Sequence, residues 1–566
     1  MSAPATDPHA PAPRPADELM RPERLAALQP CRISASRALL GRAIRERWTI
    51  TRRHFDIDAQ AKGQALYRIE IGSWTFDFPV FSFAFDPKGR TGRIIGRSWD
   101  MMGSLTEGPM RPADIAITAE ELPKLYSGRA TPGTLIWCRS NRSSRGFDHT
   151  LERLAAGRQP DLGVIGNVCY LMRNTGLDGN GTFGTRSFRA LERDHPLRTS
   201  LSAQMLCAYM MRVFAHDLID HLARCRSPHA VPMAREIARY LGVGNGSALG
   251  LVLFVNNRPQ LIDRWLGARE TALAAAKSLP VTAGDGALRR LDALLGRAIR
   301  FRREDRVQYD HRTPSRKIAA DLDIVKAELA KLMTGGAPAG RYPLDGLCRS
   351  VAQKVGVEAQ ETLHALMIEL VPELADDLSQ NLVVSEETVM QPAMTIGELR
   401  DLLHVQYRWA LDIDLSEPGA ERYIWYKSEN AEEPRRGPPD EVENAFNLGL
   451  DIPRLAQELD RAIKEHDAHQ SVARLALARP DLRFFIARMQ TLRNLNYHSP
   501  MMNMMGDKFV PIDIVGMMNV ALHGIDKTRD YLNRNLRGVL YHGAPLADEI
   551  ASGTSEEWFW PAEPAA

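Results

Sequence analysis

The stretch LYRIEIGSWTFDFPVFSFAF at residues 66–85 alternates apolar and polar side chains with a period of two, which commits part of the chain to a β-sheet. Tyr67, Ile69 and Ile71, then Trp74, Phe76 and Phe78, take one face, while Arg68, Glu70, Thr75 and Asp77 take the other. A helix would scatter both sets around its axis; an antiparallel strand keeps one face on a core and one toward water. Pro79 has no N–H for a ladder, so the spacing predicts a bulge or an edge there. DPKGRTG (86–92) reads as a turn with RIIG as its returning strand. The apolar runs GTLIWC (133–138) and LGVIGNVCYLM (162–172) read as further strands, and RYIWYKS (422–428) is a late candidate.

From about residue 199 the period changes to that of a helix. Helical spacing runs through 201–225, 259–279, 286–305, 317–333, 359–378, 451–469 and 480–498. The segment 513–536 is apolar on nearly all sides in its first half and reads as a buried helix. The expected fold class is therefore α+β and predominantly helical, with an N-terminal antiparallel β-containing region followed by a large multi-helix region. Residues 1–30 are rich in Pro and Ala and read as a disordered tail. An α+β region with Gly/Arg loops follows at 31–198, and a helical region at 199–335. A second helical region with a strand and a charged, Pro-rich loop spans 336–450, and a C-terminal helical region spans 451–566. Connectors are expected at TGGAPAGRYP (334–343) and SENAEEPRRGPPDEVEN (428–444).

Bulk composition narrows the function classes. A formal charge of +2 over 566 residues supplies no global attraction to nucleic acid or anionic membrane. The N-terminus lacks the apolar core of a signal peptide, and no window approaches 18 uninterrupted apolar residues. Six cysteines without a C-x-x-C spacing fit a reducing, cytoplasmic setting and show no zinc ribbon.

GLDGNGTFG (176–184) matches G-x-G-x-x-G through Gly179, Gly181 and Gly184. A dinucleotide site needs that loop to leave a strand directly and open a helix. Here RNTGLD intervenes after Met172, and His195-Pro196 cuts the next helical pattern short. The second loop, GVGNGSALG (242–250), follows a helical pattern, so no cofactor is assigned. A narrower expectation survives. Two strand candidates end in arginine-rich loops, with Arg139, Asn141 and Arg142 after one, and Arg173 and Asn174 before the glycines of the other. Guanidinium forks bind carboxylates bidentately, and Asn and glycine N–H groups complete an anion site. If the strands are neighbours, Arg139, Asn141, Arg142, Arg173, Asn174, Gly179 and Gly181 converge as a substrate anchor.

Proton-transfer candidates lie on helices. The apolar face of 201–225 turns polar at Asp217, Asp220, His221 and Arg224, with His216 at its edge. Asp217 and His221 stand one turn apart, as a carboxylate-oriented histidine would. The run lacks H-E-x-x-H, and no metal is assigned. Tyr497 and His498 fall at an expected helix end beside two methionine pairs, which could line an adaptable pocket. The expectation is an enzyme acting on a small anionic, carboxylate-bearing molecule by acid–base chemistry. Asp217, His221, Tyr497 and His498 are its catalytic candidates. Two alternatives stand beside it: a helical nucleic-acid binder using the basic segment 289–317, and a non-catalytic scaffold. Nucleic acid is the weaker partner, no membrane is involved, and homo-oligomers stay open.

Overall fold

The computed structural model describes residues 9–83, 100–122, 133–142, 146–168, 171–179, 194–198, 202–241, 259–304, 313–335, 340–380, 382, 390–417, 452–497, 521, 526–527, 536–537 and 563–564. The chain is α+β and mostly helical, with six antiparallel strands of its main sheet in the N-terminal part. It divides into two units. The sheet unit comprises Ala35–Leu253, Ser428–Asn444 and His523–Ala566; the helical unit comprises Met1–Ser34, Phe254–Lys427 and Ala445–Leu522.

In the sheet unit, the strands β1 (Thr49–Ile57), β2 (Gly63–Ile71), β3 (Trp74–Ser82), β4 (Met101–Glu107), β5 (Thr134–Arg142) and β6 (Met172–Gly179) pair antiparallel in sequence order. Two further strands, β7 (Asp526–Lys527) and β8 (Leu536–Arg537), pair with each other, and β9 (Glu563–Pro564) adds to β1 in parallel. The alternation at 66–85 becomes the β2–β3 hairpin. Ile71 pairs with Trp74 across a two-residue turn in which Gly72 takes φ +59°, as such a turn requires. Pro79 is neither at an edge nor at a β2–β3 bulge. It pairs with Leu66 inside a central strand, and the β3–β4 register skips Phe78 and Pro79, where the ring nitrogen has no hydrogen to give.

Among the described residues, the helices of this unit are α1 (Ala35–Arg45), α2 (Pro112–Glu121), α3 (Gly146–Ala155), α4 (Leu162–Val168), α5 (Ser202–Arg226) and α6 (Arg235–Tyr240). Both sheet faces are covered. Phe81, Met102, Trp137 and Leu122 bury together on one face, with Ile115 and Ala119 of α2 against them. Helix α5 crosses the other, where Gly103 lets it approach: a Cβ there would stand 2.8 Å from Phe78 and 3.1 Å from Met211. Sequence patterning places α5 at the head of the helical region, yet it packs on the sheet, because residues 205–215 are buried on every side and need a cover on each.

Other expectations are corrected. The run 162–172 is not one strand: residues 162–168 form α4, and pairing with β5 draws β6 into the polar sequence that follows. One helix expected over 359–378 is two, Val357–Ile368 and Pro372–Gln380, because Pro372 cannot continue the first. In 513–536 Ala521 is helical and buried, whereas Asp526–Lys527 form β7 and Leu536 begins β8, and the rest of that stretch lies outside the described residues. The strand candidates RIIG and RYIWYKS, the connector 428–444 and the glycine loop 242–250 also lie outside them.

The helical unit is built on α7 (Pro259–Lys277), α8 (Gly286–Glu304), α9 (Ser315–Met333), α10 (Pro343–Ala352), α11 (Val357–Ile368) and α12 (Pro372–Gln380). A second group holds α13 (Ile396–Gln406), α14 (Arg408–Leu411), α15 (Ile452–Ile463), α16 (Val472–Ala478) and α17 (Arg483–Leu492). Thr395 caps α13 by accepting from the Glu398 N–H at 3.2 Å while Glu398 returns to the Thr395 N–H at 2.8 Å. Much of the segment read as a disordered tail is folded over residues 14–28. It carries short helices at Ala16–Leu19 and Pro22–Ala26, and Arg14, Leu19 and Leu25 are buried.

Candidate functional site

The polar half of α5 brings several titratable side chains together in the sheet unit. Leu218, Ile219 and Leu222 stay in the core, while His216, Asp217, Asp220 and His221 are half-buried. The side chains therefore neither join the apolar core nor stand free in water. They lie over β1 and β2.

Asp217 is gripped from the sheet. The Tyr67 hydroxyl of β2 donates to its Oδ2 at 2.7 Å, and the Arg52 guanidinium of β1 stands 3.3 Å from the same oxygen. Its Oδ1 faces His216 Nδ1 at 3.9 Å. Arg52 also lies over the Phe55 ring at 5.2 Å. The Phe55 ring also meets His221 edge-on at 5.2 Å, and Phe214 lies 6.2 Å away.

The electrostatics separate donor from base. Burial pushes the Tyr67 hydroxyl well above the usual phenol range, and Asp217 beside it pushes the same way, so Tyr67 keeps its proton and donates. Burial of His216 favours its neutral ring, but the Asp217 and Asp220 carboxylates outweigh it, and the imidazole titrates above its ordinary value. Burial raises the Asp220 carboxyl, which accepts from the Met233 N–H at 3.3 Å. An imidazole with a raised pKa beside a fixed carboxylate can exchange a proton near neutral pH.

The expected pairing within α5 is thus redrawn. Asp217 is engaged by Tyr67, Arg52 and His216, whereas His221 Nε2 lies 3.4 Å from Cys225 Sγ, one turn further on. The i,i+4 spacing brought Asp217 and His221 to one side of the helix, but a sheet tyrosine and arginine reach the carboxylate. Arg52 and Phe55 escape the sequence reading because β1 carries no clean alternation. Tyr67 was legible only as an apolar-face residue. Its hydroxyl was the missed signal, since a tyrosine inside an apolar row needs a partner.

The arginine-rich positions are neighbours, as the anchor hypothesis requires. Asn141 lies opposite Arg173, Ser140 opposite Asn174 and Arg139 opposite Thr175. They are not strand-end loops, however: Arg139, Asn141 and Arg142 lie inside β5, and Arg173, Asn174 and Gly179 inside β6. Two of them already have structural work. Asn141 Oδ1 accepts from the Asp100 N–H at 3.0 Å, and the Arg142 N–H donates to the buried Asp100 carboxylate at 2.7 Å. The Arg142 guanidinium stacks over Phe147 at 5.6 Å. Strand order also separates this group from the α5 cluster. Four strand spacings lie between β5 and β1, or about 19 Å, too far for one small substrate to bridge.

Gly179 ends β6, so a strand does lead into the glycine stretch; Gly181 lies outside the described residues. That strand pairs antiparallel with β5, which is not the parallel strand–turn–helix of a dinucleotide fold. In the helical unit, Tyr497 is buried five residues beyond the end of α17, and its N–H donates to Asp263 Oδ1 at 2.7 Å. His498 lies outside the described residues. In the basic segment, Arg289 donates to the Gly284 carbonyl at 2.6 Å, Arg302 to Gln29 at 2.8 Å and Arg303 to Asp323 at 2.8 Å. These groups are tied to the protein itself.

Among the described residues, no group of three or more His, Cys, Asp or Glu is arranged to hold a metal ion, and no helix is long and apolar enough to cross a membrane. Comparison with known proteins finds no matching family, no matching curated protein and no matching solved structure.

Proposed function

We propose that the sheet unit is an acid–base enzyme for a small, carboxylate-bearing substrate, with its reaction centre on the polar half of α5. One observation carries the reading: Arg52, Tyr67, His216 and Asp217 converge, half-buried or buried, from two strands and one helix. In this reading Arg52 shares its guanidinium between Asp217 and the substrate anion. His216 moves the proton, Asp217 holds the imidazole, and the Tyr67 hydroxyl holds Asp217. Arg52 takes the anchoring role that patterning gave to Arg139, Arg142 and Arg173, because it belongs to the same cluster as the titrating group.

The test is a thermal-melting screen of small mono- and dicarboxylates against the wild type and Arg52→Gln, followed by turnover assays on any hit. The expected result is a saturable rise in Tm that Arg52→Gln loses, and turnover that His216→Gln abolishes while binding persists. Equal stabilisation of both proteins, or no stabilisation of the wild type across the panel, overturns the proposal.

A further inference from the structure

The helical unit holds a polar centre of its own, and it is built around a guanidinium. Glu270 of α7 and Glu361 of α11 have no exposed side-chain surface. Between them sits Arg14, brought in by the N-terminal strap formed by residues 9–34. All three of its guanidinium nitrogens are used. Nε and Nη2 donate to the two oxygens of Glu270, each at 2.7 Å, and Nη1 donates to Glu361 Oε1 at 2.5 Å. The Nη2 group also reaches Glu361 Oε2 at 3.3 Å. Such a two-carboxylate cradle fits a planar fork and does not fit an ammonium, which has no fixed pair of parallel donors.

The rest of the centre is native to the helices. Arg269 of α7 donates to Glu270 at 2.9 Å and to Glu361 at 2.9 Å. His364 stands 3.4 Å from Glu361, and burial pushes its pKa down to about 4, so it brings no charge near neutral pH. The two carboxylates thus face one fixed guanidinium from their own helices. Among the described residues, further positive charge comes from the strap: Arg14 between the carboxylates and Arg24 on Glu361 at 2.7 Å. The strap then continues along acidic partners. Arg32 binds Asp376 of α12 through two bonds of 2.9 and 2.8 Å, and the Ile33 carbonyl accepts from Trp265 Nε1 at 2.9 Å. Its helices are only four and five residues long, so its order comes from these docked side chains and its buried leucines.

We infer that the Glu270–Glu361 cradle is a binding site for an alkylguanidinium, the side chain of an arginine-bearing peptide, which Arg14 of the chain's own strap fills from within. The site selects guanidinium over ammonium by its paired, parallel acceptors.

The experiment is chemical rescue in the full-length chain. Arg14→Ala removes the internal ligand, and ethylguanidinium at millimolar concentration is the probe, with ethylammonium as the charge-matched control. The expected result is a lowered Tm in Arg14→Ala that rises saturably with ethylguanidinium and not with ethylammonium. The wild type, its cradle filled, shows no such rise, and adding Glu361→Gln to Arg14→Ala removes the rescue. Should Arg14→Ala fail to fold alone, the yield of folded protein after dilution from urea, with each additive, carries the same comparison. Indistinguishable effects of ethylguanidinium and ethylammonium in both measurements overturn the inference.

Discussion

Tyr67 Oη donates to Asp217 Oδ2 at 2.7 Å, joining strand β2 to helix α5 across 150 positions of sequence. The bond is directed at a carboxylate, and the tyrosine that makes it is fully buried. Tyr67→Phe keeps the ring and deletes only the donor. Hydrogen bonds to charged groups contribute about 1.5–3 kcal/mol, and Arg52 remains to hold Asp217, so a loss near the lower end, about 1.5 kcal/mol, is expected. Urea unfolding measures it, and an unchanged midpoint contradicts the assignment of this bond as the tie between sheet and helix.

His216 supplies the second prediction. Its ring is partly buried, which favours the neutral form, yet Asp217 and Asp220 raise its pKa above the ordinary 6.5. A raised folded-state pKa stabilises the fold fully below the unfolded value, and that contribution is lost as pH rises through the folded value. In Asp217→Asn, burial acts with one fewer carboxylate against it, and the His216 pKa falls. The stability gap between wild type and variant narrows as pH rises above 6.5. Imidazole NMR titration and urea midpoints at several pH values read both effects. An unshifted titration of His216 would show that Asp217 does not hold it.

How far such relationships were legible depends on where their cause lies. The β2–β3 hairpin was readable because its alternation is local and its apolar face is continuous. Helix α5 was readable from its period, and Asp217 from its place on the polar turn. β1 was not, because a register shift between Arg52 and His54 breaks the alternation of TITRRHFDI. β6 was not, because an edge strand pairs through its backbone and can do so with the polar sequence MRNTGLDG. The strap is the strongest case. Its Pro- and Ala-rich composition reads as disorder, and what orders it is Arg14 meeting Glu270 and Glu361, 256 and 347 residues away.

The buried centre of the helical unit makes the fold acid-sensitive in two ways. Burial lowers the His364 pKa from 6.5 to about 4. The unfolded chain therefore binds this proton first, and stability is lost as pH falls from 6.5 toward 4, by about 3 kcal/mol in total. Burial opposes the Glu361 charge, but Arg14 and Arg269 overcome it and hold its carboxyl well below the usual range. Its contribution is present above 4.5 and lost only as pH falls through the lower folded value. His364→Gln is expected to flatten the first phase and leave the second. Glu361→Gln strands buried guanidinium charge and costs about 3–5 kcal/mol at neutral pH. Urea unfolding from neutral pH to well below pH 4 separates the two phases. A His364→Gln profile that keeps the wild-type slope rules out the histidine as its cause.

The last prediction concerns how closely α5 rides on the sheet. Glycine within a strand normally lowers stability relative to alanine by about 0.5–1 kcal/mol, so Gly→Ala in β4 would ordinarily help. At Gly103 the sign reverses. The added methyl would stand 2.8 Å from Phe78 Cζ and 3.1 Å from Met211 Sδ, so the ring must move, together with the Met211 side chain or the helix that carries it. Overpacking of this kind costs about 1–3 kcal/mol. Met211 precedes Asp217 on the same helix, so lifting α5 at Met211 also strains the Tyr67–Asp217 bond and moves the His216 resonances. Gly103→Ala should therefore lower Tm and perturb His216 together. Met211→Ala in the same chain gives the methyl room and restores part of both. A Gly103→Ala protein with unchanged or higher Tm would show that α5 does not rest on the sheet at this point.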